Sequence, residues 1–489
     1  MIPKSFVLSP GMSYLRRELV INISFLLLAN LLIKPYYIFF VERKVQNEAG
    51  AEAWGLYFTL FSLSMVPQIL LDLGITNFAN KEIAADKGKY ELIWRQSVWI
   101  KPVLSIVFFM VFLILVWVGG YFELNARLVF WIGINQALAS FILFQRAFIS
   151  GSGRYRWDSF LSVADKFVFI VLFVGLFLAD KNPLNRYLSL QTVSMVISII
   201  IASALVFRGI KKAGFTIPAW GELKSILAKG MPYAAIFILM VLYCRMEPVW
   251  IDQLRLDGNL QSGFYAAAYR LLDAANMMGF LFAGLLLPMF SAIGVNEKPA
   301  DIQSLFELAM RLMFSAAVII AAVICFNSDY IMELLYHQNQ GLLLSIVISG
   351  LIPLTVNYLF TTLITSSGKI NQMNKIFVIS IVINGVGHLI LTKPYGAIGA
   401  AWSALITQML TMLILGYFIH TQKLARINRT LFIFYIATVF IATITAWTVD
   451  LFATTPEYKI TLQCILIPVF LISLGLIPVR SILMIFKKI

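Results

Sequence analysis

Charged side chains stand inside long apolar runs of this chain. At such depth a charge costs a few kcal/mol unless it pairs or faces a polar cavity. Lys34 lies in Lys34-Pro35-Tyr36-Tyr37-Ile38, Arg245 and Glu247 flank Met246 ahead of Pro248, and Arg270 and Asp273 are three apart on one helical stretch. Arginine offers forked donors and lysine a point charge, so Lys34, Arg245 and Arg270 are candidate binding residues for an anionic substrate. Glu247 and Asp273 are candidates for a coupling cation, H+ or Na+. A second reading needs no ligand: Arg245 with Glu247, and Arg270 with Asp273, would then be ion pairs that neutralise each other within the fold. Closer to the opposite face lie Asp72, ahead of a glycine, and the neighbours Asp165 and Lys166. Asp72 and Asp165 are gate or turn candidates. Lys101 and Lys166 are expected to snorkel to the membrane surface.

The elements that hold these residues follow from composition. Of 489 residues, 60% are hydrophobic and only 13% charged. A soluble protein of this size carries about a quarter charged residues, so lipid is the expected solvent. A span of the ~30 Å hydrocarbon core takes about 20 apolar residues. Continuous runs of that length fall at 19–41, 54–79, 97–118, 128–148, 159–179, 187–207, 231–251, 263–290, 306–326, 342–365, 374–392, 397–419, 430–450 and 461–485. Barrel strands would be shorter and alternating, so the reading is an all-α membrane protein of about fourteen spans.

The formal charge of +14 sits mainly in short loops, which reads as an orientation signal rather than a nucleic-acid surface. One set of alternate loops carries twenty-three Lys and Arg. The other carries eight: Arg43, Lys44, Arg127, Lys181, Arg186, Arg255, Lys393 and Lys459. The first set is therefore expected inside, with both termini. Trp94, Trp99, Trp131, Trp157 and Trp402 near span ends read as interfacial anchors, and Tyr36, Tyr37 and Trp250 as side chains that pack against lipid or other helices, with stacking on sugars the second reading. The first apolar run is long enough to span rather than to be cleaved as a signal. Cys244, Cys325 and Cys464 lack paired spacing, and His337, His388 and His420 are scattered. No disulfide framework, metal site, catalytic group or cofactor is expected. No phosphate-binding glycine loop is present, and no loop is long enough for an extramembrane catalytic domain.

An internal repeat organises the spans. Lys34-Pro35-Tyr36-Tyr37-Ile38 pairs with Glu247-Pro248-Val249-Trp250-Ile251, Gly55-Leu56-Tyr57 with Gly263-Phe264-Tyr265, and Ser152-Gly153-Arg154 with Ser367-Gly368-Lys369, at offsets of 213, 208 and 215. This predicts an N-lobe at 1–207, a basic linker at 208–230, a C-lobe at 231–420 and two further spans at 421–489. Two six-span lobes of equal orientation imply a pseudo-two-fold along the membrane normal. At ~1.5 Å rise per residue the five outer charges fall at overlapping depths, and the repeat sets Lys34 opposite Glu247 across a central cavity.

Six plus six plus two spans resemble the multidrug/oligosaccharidyl-lipid/polysaccharide (MOP) exporter superfamily. Leu71-Asp72-Leu73-Gly74-Ile75, Phe264-Tyr265-Ala266-Ala267-Ala268-Tyr269-Arg270 and Tyr395-Gly396-Ala397-Ile398-Gly399-Ala400-Ala401 resemble stretches of its polysaccharide, O-antigen type, flippase branch. The resemblance implies translocation of undecaprenyl-diphosphate-linked oligosaccharide across the bacterial plasma membrane by alternating access. The diphosphate would then be the anion that Lys34, Arg245 and Arg270 hold, and the expected partners are this lipid, membrane lipids and H+ or Na+, with the protein a monomer. Alternatives within the fold are a lipid II flippase and a cation-coupled multidrug exporter, the latter disfavoured by the net positive charge of the five outer residues. A membrane glycosyltransferase or polymerase is the reading from a different class. Its only acidic candidates in the first outer loop are Glu42, Glu48 and Glu52.

Overall fold

The structure, a computed structural model, describes residues 30, 32–121, 126–176, 182–210, 221, 238–295, 299–426 and 428–477. The described residues form helices and no strands. Nine of these helices are long and apolar enough to cross a membrane, which makes the chain a multi-pass membrane protein. The ends of the chain, most of the 208–230 linker and the opening of the seventh expected span lie outside the described residues.

In chain order the helices are α1 (Arg43–Ala49), α2 (Ala51–Met65), α3 (Ile75–Ala85), α4 (Tyr90–Ser97), α5 (Ile100–Val118), α6 (Ala126–Gly151), α7 (Tyr155–Leu176), α8 (Pro183–Phe207), α9 (Glu247–Leu254), α10 (Gly258–Val295), α11 (Pro299–Phe326), α12 (Ser328–Tyr336), α13 (Gly341–Ser349), α14 (Leu351–Ser366), α15 (Ile370–Thr421), α16 (Arg429–Phe452) and α17 (Pro456–Ser473). They fall into two compact units, one of Met1–Glu48 with Leu63–Ile238, the other of Ala49–Ser62 with Leu239–Ile489. The division runs through α2, so its first residues pack with the second unit.

The first unit is built on an aromatic core. Trp94 lies 5.5 Å from Phe144 in a stack and 5.1 Å from Phe148 edge-on. The sequence reading set Trp94 among the interfacial anchors, but it is 4% exposed. The reason is local: α4 is amphipathic and buries Tyr90, Ile93, Trp94 and Ser97 on one stripe. Trp99, Trp157 and Trp402 are each 44–46% exposed.

The expected second span, 54–79, is not one helix. After α2 the chain tightens into a 3-10 helix at Pro67–Leu71, and Leu73 and Gly74 take left-handed backbone at φ 44° and 81° before α3 begins. Pro67 has no N–H to donate, so the interruption is encoded where it occurs. α15 consists of two helical arms at the places of the expected spans 374–392 and 397–419. The chain reverses at Gly396, with φ 58° and ψ −134°, just after Pro394. A Cβ on Gly399 would lie 1.9 Å from the carbonyl oxygen of Leu391, so the two arms meet at a distance only glycine permits.

Two stretches that the sequence pairs end their helices with similar local geometry. The amide of Gly153 donates to Ser150 O and that of Arg154 to Ile149 O. The amide of Gly368 donates to Thr365 O and that of Lys369 to Ile364 O. Both are glycine C-caps of one kind, with φ 85° and 75° at the glycine. Gly55 and Gly263 meet directly in the second unit: a Cβ on Gly55 would lie 1.8 Å from Asn259 O, and one on Gly263 1.9 Å from Ala51 O. The core of that unit gathers Phe290, Phe306, Phe314, Phe360 and Leu415 with Phe434 and Ala442 of α16. Asn327 donates to Gln463 of α17 at 2.6 Å, and Gln463 donates to Ala446 O at 3.1 Å. The two last helices are thereby joined to the second unit.

Candidate functional site

In the first unit, Pro35 follows Lys34 and the chain then forms a π-helix over Tyr37–Glu42. π-Helical turns are uncommon and recur at functional sites. Lys34 is half-buried and within electrostatic reach of Lys166, Asp165 and Arg146. Its two cationic neighbours each have a carboxylate: Lys166 stands 3.4 Å from Asp165, and Arg146 2.7 Å from Asp158. Lys34 makes no ion pair or hydrogen bond with a described residue. Lys166 also lies 4.6 Å from the ring centroid of Tyr37. It is held here between a carboxylate and an aromatic face, with 23% of its side chain exposed.

Sequence reasoning missed the role of the residues beyond Lys34. Glu42, taken as an outer-loop residue, is 6% exposed and accepts a hydrogen bond of 3.0 Å from Tyr187. The Tyr187 hydroxyl is in turn 2.8 Å from that of Tyr37. Tyr37 is 3% exposed and engaged in this chain of hydroxyls, a packing role and not a sugar-stacking one. The signal was present in the spacing: Tyr37, Val41 and Val45, and Glu42 and Gln46, recur at helical intervals and all are buried. The span simply continues past the point where its hydropathy falls.

Asp72 and Lys101 belong to one cluster at the break in the second span. Lys101 Nζ donates to Asp72 Oδ1 at 2.6 Å, to Leu71 O at 3.0 Å and to Ser140 Oγ at 3.1 Å. Thr76 donates to the same carboxylate through its amide, at 3.3 Å, and through its hydroxyl. Lys101 is 3% exposed, so it does not snorkel. The carbonyl and carboxylate exposed by the 3-10 break hold it in place, and Asp72 caps the start of α3.

In the second unit the seventh span breaks at its charges. Helical backbone through Cys244 stops at Arg245 and Met246, and α9 restarts at Glu247 with Pro248 in its first turn. The carbonyl of Cys244 is taken up by the Tyr269 hydroxyl at 2.9 Å. Arg245 reaches across to α10 and grips Asp273 with both Nη atoms, at 3.0 and 3.1 Å. Arg270 Nη1 lies 3.7 Å from the same carboxylate. Arg245 covers the ring of Tyr269 at 5.1 Å and Arg270 that of Phe58 at 5.4 Å. Glu247 is 4% exposed and in electrostatic reach of Arg245 and Asp273. The partner of Arg245 is thus Asp273, where the sequence offered Glu247. Depth alone does not say which carboxylate two guanidiniums will share.

The same unit holds a histidine that the sequence reading set aside. His388 is fully buried, its Nδ1 2.9 Å from Thr392 Oγ1, and its ring stacks on Trp250 at 5.6 Å and 9°. Trp250 is therefore packed against protein. The three cysteines are free thiols, with Cys464 exposed.

The fold built from these elements is a known one. The chain is similar to a solved structure of the lipid II flippase MurJ in an inward closed conformation, with 15% identity over 92% of this chain and 98% of that one and a TM-score of 0.67. It is similar to an inward-facing multidrug resistance MATE transporter of the MOP superfamily, at 12% identity, 79% and 94% coverage and a TM-score of 0.61. A MOP superfamily transporter from Pyrococcus furiosus, described by the reversed polarity of its binding pocket, matches at 13% identity, 82% and 94% coverage and a TM-score of 0.57. Identities so low show a shared fold and no more. No curated protein matches in sequence. The family of polysaccharide biosynthesis proteins matches residues 19–293, more than half of the 489, and the chain belongs to that family.

Proposed function

We propose that the chain is a flippase that carries a polyprenyl-diphosphate-linked oligosaccharide across the bacterial plasma membrane by alternating access. Membership of a polysaccharide biosynthesis family and a fold similar to that of a lipid II flippase support the class. The observation that carries the substrate is Lys34, a half-buried ammonium in a span, without an ion pair to any described residue. Two neighbouring cations already hold their own carboxylates. A cation left over at such a cost is what an anionic head group needs. A diphosphate supplies more than one acceptor for such a donor. A cation exporter would call for the opposite balance around Lys34.

For coupling, Glu247 is the better candidate of the two carboxylates. Asp273 is committed to two arginines, whereas among the described residues no arginine grips Glu247 in the same way. Binding of H+ or Na+ there would change the charge at the break in the seventh span.

The test is translocation in proteoliposomes with defined diphosphate lipids. Lys34→Ala is expected to abolish transfer while the protein remains folded and inserted, and Lys34→Arg to restore part of it. Glu247→Gln is expected to make transfer insensitive to an imposed proton or sodium gradient. Full transfer by Lys34→Ala would overturn the assignment of the anion site. Equal transfer of a lipid with a cationic head group would overturn the substrate class.

A further inference from the structure

At the end of the first unit where α6 and α8 begin, Arg127, Phe130, Trp131, Asn185, Arg186 and Ser189 line an open pocket of about 390 Å³. That volume lies within the roughly 300–1,000 Å³ of small-molecule sites. By the charge bias of the loops this end faces outward, and that face is sparing with cations. Two of its eight Lys and Arg, from different loops, converge on this one pocket. Their approach is fixed by a polar ladder further along the same helices. Asn135 of α6 donates to Leu188 O at 3.3 Å and to Gln191 Oε1 at 3.0 Å, and Thr192 of α8 donates to Asn135 Oδ1 at 2.6 Å. The two arginines therefore stand on a rigid pair of helices.

The pocket is amphipathic in the way a lipid is. Arg127 and Arg186 supply forked donors for phosphate oxygens. Asn185 and Ser189 add short polar groups beside them, and the first turns of α6 and α8 present the positive ends of two helix dipoles. Phe130 is 54% exposed and meets Trp131 edge-on at 5.8 Å, which gives the rim an apolar surface. Arginine and aromatic residues at span ends are common as plain interfacial anchors. Anchors of that kind lie along the surface and need no concavity, whereas here residues of two helices line an open one. Among the described residues no carboxylate pairs with Arg127.

We infer that this outer-face pocket binds the phosphate-bearing head group of a lipid of the outer leaflet. The inference concerns a peripheral site on the first unit and does not depend on what the protein transports. A phosphate ester is common to anionic phospholipids and to polyprenyl diphosphates, and the experiment separates them.

Native mass spectrometry of the full chain, purified in detergent, would count lipid adducts on titration with phosphatidylglycerol, undecaprenyl diphosphate and phosphatidylcholine. The wild type is expected to hold an anionic lipid at least tenfold more tightly than phosphatidylcholine. Arg127→Gln with Arg186→Gln is expected to erase that preference. Arg127→Gln alone, a change at an exposed residue, should weaken it part-way and covers the case in which the double variant fails to fold. Preference for phosphatidylglycerol would assign a resident lipid, and preference for undecaprenyl diphosphate an isoprenoid carrier; both support the site. Arg255→Gln, at an outer arginine outside the pocket, should change nothing. Unchanged adducts in Arg127→Gln/Arg186→Gln, or an equal loss in Arg255→Gln, would overturn the proposal.

Discussion

Lys34-Pro35 and Glu247-Pro248 occupy matching places in the repeat, yet the chain treats them differently. After Pro35 the backbone stays helical by widening into a π-helix, and the lysine beside it has no ion-pair partner among the described residues. Ahead of Pro248 the helix stops, restarts at Glu247, and folds its arginine onto Asp273 with two bonds. One region preserves a surplus charge in a continuous span. The other cancels charge around a broken one. A surplus charge is held ready for something outside the protein, whereas a cancelled set holds the protein together, and the balance of partners separates ligand sites from structural ones where depth alone does not.

The largest effect should come from breaking the cancelled set. Asp273→Ala would strip both Arg245 and Arg270 of the carboxylate they share; the pair is partly buried, with side chains 29% and 17% exposed, so the cost falls below the about 3–5 kcal/mol of a fully buried pair. Thermal unfolding in detergent should show a marked drop in midpoint for Asp273→Ala and little change for Lys34→Ala. If the two variants lose equal stability, the contrast between the regions is wrong.

The repeat, the turn glycines and the helical class could be read from residue order because they depend on local chemistry. Gly153 and Gly368 announce a left-handed cap, and Pro394 with Gly396 a reversal. What could not be read was partner choice. Trp94 looks like an anchor until α4 is known to lie on Phe144. Lys101 looks able to reach water until Leu71 O and Ser140 are found around it. Glu42 looks like a loop residue because hydropathy fades before the helix does. In each case tertiary contact outweighed the local signal, and a single sequence carries no direct record of contact.

Lys101 offers an intermediate test, because it too sits at a proline-linked break and is compensated. Lys101→Met keeps the length and removes the ammonium, leaving Asp72 and the Leu71 carbonyl short of a donor. A loss of about 1–3 kcal/mol is expected, the usual range for a buried polar group left unsatisfied. Lys101→Met with Asp72→Asn should recover part of it, since the neutral amide no longer strands a charge. A double variant worse than the sum of the singles would mean that the cluster does more than hold the 3-10 turn together.

The smallest effect is expected at Arg255 and Asp257, an ion pair outside the spans between α9 and α10. Its contacts are as short as those of Arg245: Arg255 Nε lies 2.8 Å from Asp257 Oδ1, with Nη2 donating to Oδ2 at 3.3 Å. The Asp257 carboxyl is pulled below its ordinary value of 3.8 by the hydrogen bond from Arg255, with Gln261 adding a second. A depressed carboxyl stabilises the fold above its ordinary value, and that contribution fades as pH falls through the lowered one. Between pH 7 and pH 5 the pair therefore gives no pH dependence, and any loss begins below about pH 4. Both side chains are about one-third exposed, at 32% and 38%, so water screens what distance would otherwise give. Asp257→Asn should flatten the acid limb of stability slightly and leave neutral pH almost unchanged. A drop at neutral pH as large as that of Asp273→Ala would show that hydrogen-bond geometry, and not burial, gives the Arg245–Asp273 pair its weight.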